Sequence, residues 1–329
     1  MEFFFWLGLL VLIYYLVYIL ICFLGDCDAA TLYAEIFGKP ISVLSGKVIW
    51  ITGASSGIGE GLAVELAQHG VKLVISARRE SELERVKKRC IVASKGKLSP
   101  ADVLVVPLDV SAMENHQELF DRVLEHFGEL HILVNNAGRS QRCIWEDIEP
   151  VVDRSMFELN VFGLVNLTRI AVKYFMTKGE GHVAVTSSTA GIVGVPYSAS
   201  YTATKHAIHG YFNSLRAEKF MKNLTVTIVC PGPTFSNFLQ ESFTGKLNEK
   251  FGQSVQSSDK RMSAERCGHL FAVALANKLD ESWVAIFPIV GLSYLNCYFP
   301  NLLKRIMSFL GPKMFLKLRD SRVSLKVDN

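Results

Sequence analysis

The sequence lacks the clustered cysteine and histidine residues that hold zinc or build a disulfide framework. Its seven cysteines are scattered along the chain and odd in number, and no Cys-x-x-Cys pair occurs. Structural zinc sites need closely spaced Cys or His ligands, and disulfide-rich folds need paired cysteines. The pattern therefore predicts neither a metal site nor a disulfide scaffold.

A strong excess of charge is also missing. The 329 residues carry a formal net charge of +4, and 50% are hydrophobic against 20% charged. Nucleic-acid-binding proteins usually present a basic stripe with interleaved aromatic residues, and disordered chains are poor in hydrophobic residues. Neither pattern occurs, nor does a short-period repeat. We therefore expect a folded chain with a sizeable core and no nucleic-acid partner.

Charge is absent altogether between Phe3 and Leu24. A helix over this run would reach about 33 Å, which is enough to cross a hydrocarbon core of about 30 Å. A cleaved signal peptide usually has a basic start, a shorter apolar run and small residues at the cleavage site. Here Glu2 precedes the run and large residues fill its end. We favour an uncleaved membrane anchor over a cleaved signal; the sequence leaves its orientation open.

A glycine-rich turn follows the first predicted strand of the main domain. Residues 47–52 are apolar and predict a buried strand, residues 53–59 form the turn, and an amphipathic run to His69 predicts a helix. This order is typical of a dinucleotide-binding unit. Glycines let the backbone approach a pyrophosphate, and the helix N-terminus supplies amides and partial positive charge. Such turns also close loops without ligands, but both flanking elements favour a phosphate site.

No acidic residue ends the second predicted strand, Lys72–Ser76. Proteins that bind NAD usually place Asp or Glu there to hold the ribose hydroxyls. Arg78 stands there instead and offers a cation for a 2′-phosphate, so the sequence favours NADP(H), with NAD(H) as the alternative. The plainer interpretation is that Arg78 and Arg79 only face solvent.

Strands and helices continue to alternate beyond this point. Further predicted helices cover residues 80–95, 114–126, 153–177, 200–222 and 264–276, and further predicted strands cover 103–108, 131–134, 182–186, 226–230 and 284–287. Asp109, after the third strand, could accept a hydrogen bond from an adenine amino group. The alternation predicts an α/β fold with a single doubly wound (Rossmann) parallel sheet, an N-terminal membrane helix and a C-terminal helical extension.

The predicted organisation has four parts. They are a membrane anchor (1–25), a connecting segment (26–45), a dinucleotide-binding catalytic domain (46–290) and a C-terminal extension (291–329).

Tyr201 and Lys205 are four residues apart in a predicted helix, so their side chains share a face. A phenol has a pKa of about 10 and shuttles protons poorly near neutral pH unless a cation stabilises the phenolate. The pair alone is weak evidence, because an amphipathic helix with one exposed Lys has the same spacing. Ser188 lies upstream, after a predicted strand.

The joint pattern resembles the short-chain dehydrogenase/reductase family. The matching motifs, in family order, are Thr52-Gly53-x-x-x-Gly57-x-Gly59, Asn135-Asn136-Ala137-Gly138, Asn160, Ser188, Tyr201-x-x-x-Lys205 and Pro231-Gly232. Within the family, the anchor and segments 76–90 and 195–218 are similar to the membrane-associated dehydrogenase/reductase member 7 group. That group is similar to the 11β-hydroxysteroid dehydrogenase type.

The resemblance implies catalytic roles for four residues. Tyr201 would exchange a proton with the substrate oxygen, and Lys205 would lower the pKa of Tyr201 and bind the nicotinamide ribose. Ser188 would hold the substrate oxygen, and Asn160 would hold a water that connects Lys205 to solvent. Tyr197 and Tyr211 are alternative phenols, but neither has Lys at the required spacing.

The resemblance also implies a cofactor site. The expected cofactor-binding residues are Gly53, Ser55, Ser56, Gly57, Ile58, Gly59, Arg78, Asp109, Asn136, Gly138, Tyr201, Lys205, Pro231, Gly232 and Ser236. The turn would cradle the pyrophosphate, Asn136 and Gly138 would lie on the adenosine side, and Ser236 would lie beside the nicotinamide with Pro231 and Gly232.

The expected function is NADP(H)-dependent interconversion of a carbonyl and an alcohol on a lipophilic substrate such as a steroid or retinoid. The resemblance further implies a homodimer and an endoplasmic-reticulum membrane. Residues 234–262 should cover the substrate, and 291–329 either pack over the site and dimer contact or lie on the membrane. Two alternatives stay open: a 3-keto lipid reductase such as ketosphinganine reductase, and a membrane-anchored nucleotide-binding scaffold with little catalysis.

Overall fold

Seven parallel strands form the centre of the computed structural model, which describes residues 2–219 and 222–320. The strands are β1 Val48–Thr52, β2 Lys72–Ser76, β3 Val103–Val105, β4 Ile132–Asn135, β5 Gly181–Thr186, β6 Leu224–Pro231 and β7 Glu281–Val284. Their order is β3-β2-β1-β4-β5-β6-β7. The chain reverses its direction of winding between β1 and β4, which is where doubly wound sheets bind ligands. The predicted fold class is confirmed.

Helices cover both faces of the sheet. The helices are α1 Glu2–Leu24, α2 Ala29–Phe37, α3 Gly57–Gln68, α4 Glu80–Ala93, α5 His116–Phe127, α6 Pro150–Phe157, α7 Gly163–Lys178, α8 Ala199–Lys219, α9 Ala264–Ala276, α10 Ile289–Tyr298 and α11 Pro300–Asp320. Successive residues of a strand point to opposite faces. Accordingly Ile49 and Ile51 pack with α3, α4 and α9, while Val48 and Trp50 pack with α5, α7 and α8.

The last strand differs from its prediction. Residues 284–287 were expected to form it because they are apolar, but β7 spans Glu281–Val284. That prediction is wrong because β7 is an edge strand, in which only alternate residues need to be buried. Glu281 and Trp283 are half-buried, whereas Ser282 and Val284 are buried. A continuous apolar run was therefore the wrong criterion.

Two helices differ in detail from their predictions. The predicted helix 153–177 extends from Pro150 to Lys178 and contains a wider π-helical turn at Glu158–Phe162. The predicted helix 200–222 corresponds to α8, and residues 220–221 lie outside the described residues. The π-turn matters for the site because Asn160 lies within it.

The predicted connecting segment is fastened to the body of the protein. It contains α2 and a short 3-10 helix, Ile41–Leu44. Asp28 caps α2 by accepting a 2.7 Å hydrogen bond from the Thr31 amide, and it also accepts one from the Trp283 amide of β7. Arg266 of α9 bonds to Asp26 at 2.7 Å. These contacts fix the position of the chain where it leaves α1.

The N-terminal helix is long and apolar enough to cross a membrane, by length and composition, and it is unburied over Glu2–Leu20. Near its end, the Tyr18 ring lies 5.0 Å from the ring of Tyr294 in α10. Helix α11 kinks at Gly311, where φ is +73°. Residues 321–329 of the predicted extension lie outside the described residues.

Candidate active site

A cavity of about 830 Å³ lies at the carboxyl ends of the strands. Loops after β1 to β6 and the start of α8 form its walls, as expected for a site at the switch point of an open α/β sheet. Every predicted cofactor-binding residue except Gly59 lines the cavity, and so do Ser188, Tyr201 and Lys205. The tertiary structure thus gathers residues that are spread over 180 positions between Gly53 and Ser236.

The glycine-rich turn has a backbone that only glycine adopts easily. Gly53 and Gly57 have φ of +66° and +58°, and a Cβ on Gly57 would lie 2.8 Å from the Cβ of Ser236. This open cradle suits the close approach of a phosphate. Ser236 therefore lies against the predicted pyrophosphate turn. Gly59 does not line the cavity, and a Cβ there would lie 2.4 Å from the Gly53 oxygen, so the helix and the turn pack closely at this residue.

Asn136 ties this turn to the middle of the sheet. Its Nδ2 donates to the carbonyl oxygens of Thr52 and Gly53, both at 3.1 Å, and its Oδ1 accepts from Thr186 Oγ1 at 3.0 Å. The residue lines the cavity, but these side-chain hydrogen bonds are to the protein itself. They fix the position of the turn relative to the end of β5.

Charged side chains gather at the cavity end formed by the loops after β2, β3 and β4. Burial would raise the pKa of Asp109, but hydrogen bonds from Ser111 and the positive charges of Arg78 and Arg139 lower that pKa overall. Asp109 is therefore an ionised acceptor near neutral pH. Its Oδ1 already accepts from the Ser111 amide at 3.0 Å and the Ser111 hydroxyl at 2.6 Å.

Tyr201 and Lys205 lie one turn apart at the start of α8. The Lys205 Nζ is 5.6 Å from the centroid of the Tyr201 ring and donates a 2.8 Å hydrogen bond to the Thr186 carbonyl. Burial lowers the pKa of Lys205 to about 8. A cation this close favours the phenolate form of the tyrosine.

Ser188 follows β5 by two residues and borders the same cavity. Its Oγ accepts from the Ala190 amide at 3.1 Å and donates to the Pro231 carbonyl at 3.3 Å. The second contact is long for a hydroxyl donor, so the proton can turn toward a ligand at small cost. The alternative phenols Tyr197 and Tyr211 do not line the cavity, and Tyr211 is exposed.

Asn160 lies behind the cavity wall and is fully buried. Its Nδ2 donates to the Arg139 carbonyl at 2.8 Å and to Thr204 Oγ1 at 3.1 Å, while its Oδ1 accepts from the Arg139 amide at 2.9 Å. A Cβ on Gly138 would lie 3.2 Å from that Oδ1 and 3.8 Å from Lys205 Nζ. The space beside the Cα of Gly138 therefore borders both the Asn160 amide oxygen and the Lys205 ammonium.

Residues of the segment 234–262 line part of the cavity, and the expectation that this segment covers the substrate stays a prediction. Phe238 packs edge-on against the Tyr201 ring, with centroids 5.9 Å apart. Phe243 pairs with the chain after β4, since its amide donates to Ser140 and its carbonyl accepts from Arg142. Sequence reasoning missed these contacts and Arg139, because no local pattern marks a loop-to-loop pairing.

Comparison with known proteins agrees with this architecture. The short chain dehydrogenase family profile matches residues 47–247. The chain is 40% identical over 315 residues to dehydrogenase/reductase SDR family member 7 of Homo sapiens, which covers 95% of this chain and 92% of that protein. It is 36% identical over 246 residues to 11-beta-hydroxysteroid dehydrogenase A of Sesamum indicum, covering 74% of this chain and 67% of that protein.

A solved structure extends the match to three dimensions. A short chain dehydrogenase/reductase from Burkholderia phymatum, in complex with NAD, is 25% identical and superimposes with a TM-score of 0.67, covering 79% of this chain and 95% of that chain. The family predicted from the motifs is confirmed. This protein belongs to the short chain dehydrogenase family and is an oxidoreductase.

Proposed function

We propose that the protein interconverts a carbonyl and an alcohol on a lipophilic substrate with NADP(H) as cofactor. One observation carries the proposal: Ser188, Tyr201 and Lys205 border the same cavity as the glycine cradle and Arg78. The cavity is therefore long enough to bring a dinucleotide and a second molecule together. Bound NADP(H) would supply or accept the hydride.

The chain's own residues would move the proton. Tyr201 would give its phenolic proton to the substrate oxygen in reduction and take it back in oxidation. The Lys205 ammonium, 5.6 Å from the Tyr201 ring centroid, would stabilise the phenolate left behind. Ser188 would donate to the substrate oxygen and stabilise the charge that develops there.

The walls near Tyr201 support a lipophilic substrate. Apolar residues from four separate parts of the chain line the cavity: Leu159, Val193, Val195, Phe238, Leu239, Ile289 and Leu292. Ile289 and Leu292 belong to α10, whose Tyr294 contacts the apolar N-terminal helix. A relative is named for an 11-beta-hydroxysteroid, which is a substrate of this class.

The direct test is a carbonyl panel with the full chain in detergent, following NADPH oxidation. We expect turnover with ketosteroids or retinoids and little with small water-soluble ketones of equal reactivity. Turnover only with 3-keto sphingoid bases would assign the protein to 3-keto lipid reduction instead. No turnover across the lipophilic panel, with cofactor bound, would contradict the proposal.

The NADP(H) preference depends on Arg78, which is exposed at the cavity edge and makes no hydrogen bond to the described residues. Arg78→Asp should lower kcat/KM with NADPH about 10- to 100-fold, because a charge-assisted contact to the 2′-phosphate is lost. The kcat/KM of the same variant with NADH should stay unchanged or rise. Arg154→Asp, at an exposed arginine of α6, is the matched control. Equal kcat/KM with both cofactors in the unsubstituted protein would refute the preference.

We further propose that α1 anchors the chain in the endoplasmic-reticulum membrane and that α11 rests on the same surface. Helix α11 exposes Phe309 by 90% and Leu302 by 50%, beside Lys304 and Arg305, and Phe299, directly before α11, is 60% exposed. Exposed aromatic and basic residues together favour an interface location. The Tyr18–Tyr294 contact keeps the C-terminal helices near α1.

Deleting residues 2–24 should convert an integral protein into a peripheral one. The full chain should stay in membranes after alkaline carbonate, whereas the shortened chain should bind anionic vesicles and leave in carbonate. Adding Phe309→Ser and Leu302→Ser to the shortened chain should reduce vesicle binding about tenfold or more, given the apolar area removed. Complete release by the deletion alone would contradict the role of α11. A fluorescent fusion of the full chain tests the organelle.

A homodimer through α7 and α8 is part of the same proposal. Phe162, the residue directly before α7, and Tyr211 of α8 are both 41% exposed. Burying such residues against a second copy would remove apolar surface from water. Light scattering of the detergent-solubilised protein should give twice the chain mass, and a monomer mass would contradict the dimer.

A further inference from the structure

Arg139 is the residue directly after Gly138 and has an unusual environment for a cation. Its side chain is only 14% exposed, and its guanidinium lies 4.4 Å from the centroid of the Phe243 ring. The nearest carboxylate oxygen, Glu241 Oε2, is 3.8 Å from Nη2, which is too far for a hydrogen bond. Among the described residues the guanidinium has no hydrogen-bond acceptor, although its backbone is held by Asn160.

A cation with this little solvent needs a partner. A guanidinium presents five N–H donors in a fixed fork that matches phosphate or carboxylate oxygens. Arg139 lines the cavity, so its donors are open to a ligand there. Glu241 cannot satisfy them fully, because its Oε2 is already 2.8 Å from Lys250 Nζ.

The surrounding charges indicate which ligand would fit. Arg78, Arg79, Arg139 and Lys250 line one cavity, and the carboxylates among the described residues that line it are Asp109 and Glu241. Arg78 lies close enough to Arg139 to lower the pKa of Arg139, after the larger effect of burial. The guanidinium groups of Arg78 and Arg139 repel each other. A dianion bound between them in the cavity would offset this repulsion and hydrogen-bond to both groups.

We propose that Arg139 is a second arginine of the 2′-phosphate site, and that the Glu241 carboxylate occupies part of that site until NADP(H) binds. Arg78 approaches from the end of β2 and Arg139 from the end of β4, on either side of the glycine turn after β1. When the phosphate binds, Glu241 keeps its contact with Lys250. Because Phe243 packs on Arg139, the cofactor's phosphate also fixes the segment that covers Tyr201.

This inference rests on the proposed use of NADP(H), and its test measures binding as well as turnover. The dissociation constants for NADPH and NADH are measured on the full chain in detergent by fluorescence titration. Arg139→Met keeps an unbranched side chain of similar length and removes the charge and the guanidinium that lies over the Phe243 ring. It should weaken NADPH binding about 10- to 100-fold while NADH binding stays within about twofold. Arg139→Lys should restore part of the NADPH affinity.

Glu241→Gln provides an independent readout. Removing the competing carboxylate should strengthen NADPH binding about two- to fivefold, the range of a partly exposed ion pair. The same substitution should have no effect in an Arg139→Met background. Arg154→Met is the control for a lost surface charge.

Three results would overturn the assignment of Arg139. They are unchanged NADPH binding in Arg139→Met, equal losses for NADPH and NADH, and a Glu241→Gln effect that persists without Arg139. The proposed function fails separately, if the unsubstituted chain neither binds nor oxidises NADPH. Thermal unfolding of each variant without cofactor identifies losses caused by misfolding.

Discussion

Replacing Tyr201 by Phe should lower kcat about 10²- to 10⁴-fold, the range contributed by a positioned general acid or base. The ring should keep its place, because it packs edge-on against Phe238 and against the buried cluster of Val152, Met156 and Phe243. The substitution removes the phenolic hydroxyl and with it the exchangeable proton. NADPH affinity should therefore stay within about threefold, since a neutral hydrogen bond contributes little net binding energy.

The measurement is single-turnover NADPH oxidation, with cofactor affinity from fluorescence titration. Tyr211→Phe is the matched control, because Tyr211 lies on the same helix but is exposed. It should leave kcat unchanged. Turnover within tenfold of the unsubstituted rate in Tyr201→Phe would remove Tyr201 from the reaction.

Replacing Lys205 by Met should have opposite effects on activity and stability. Turnover should fall about 10²-fold or more, because the phenolate of Tyr201 loses the cation that stabilises it. The folded protein without cofactor should become more stable at pH 7. A buried ammonium costs free energy that an apolar side chain of similar length does not.

The size and sign of this change in folding stability follow from the pKa of Lys205. Burial lowers the pKa of Lys205 from 10.5 to about 8, and each pKa unit corresponds to about 1.36 kcal/mol, so the buried charge costs up to about 3 kcal/mol. The Thr186 carbonyl loses its 2.8 Å donor in the variant, which costs about 1–2 kcal/mol. We therefore expect a net gain of about 1–2 kcal/mol at pH 7.

The extra stability of the Lys205→Met variant should decrease as the pH rises. Below about pH 8, Lys205 is protonated in both the folded and the unfolded chain, and the folded protein bears the full free-energy cost of the buried ammonium. Between about pH 8 and 10.5 the unfolded chain binds the proton that the folded chain has lost, so the unsubstituted protein becomes more stable as pH rises. The advantage of Met should shrink across that interval. Denaturant unfolding at pH 7 and pH 10 checks this, and a pH-independent difference would contradict it.

Local pattern was enough to place several residues of the site. The glycine-rich turn was predictable from its place between a strand and a helix, and the structure adds that Gly53 and Gly57 have positive φ. Tyr201 and Lys205 were predictable as a pair because a helix brings every fourth residue to one face. Strand β2 has the predicted bounds because its buried residues form a continuous apolar run.

Other features depend on partners far away in the chain. Strand β7 was displaced because an edge strand alternates between half-buried and buried residues. Helix α2 is fastened by Asp28 and Arg266, whose partners lie more than 200 residues away in sequence. No window of local sequence contains both members of such a pair.

The order of the elements and the residue types available for catalysis were predictable from the sequence, because periodicity, glycine content and helical spacing are local properties. The family was recognised from the resemblance of its motifs. Only the tertiary structure decided that Asn160 binds the backbone of Arg139, that Phe243 packs on Arg139, and that Glu241 leaves the guanidinium without a hydrogen bond. Those contacts join loops that follow different strands. Their geometry depends on how the whole sheet and its covering segment pack.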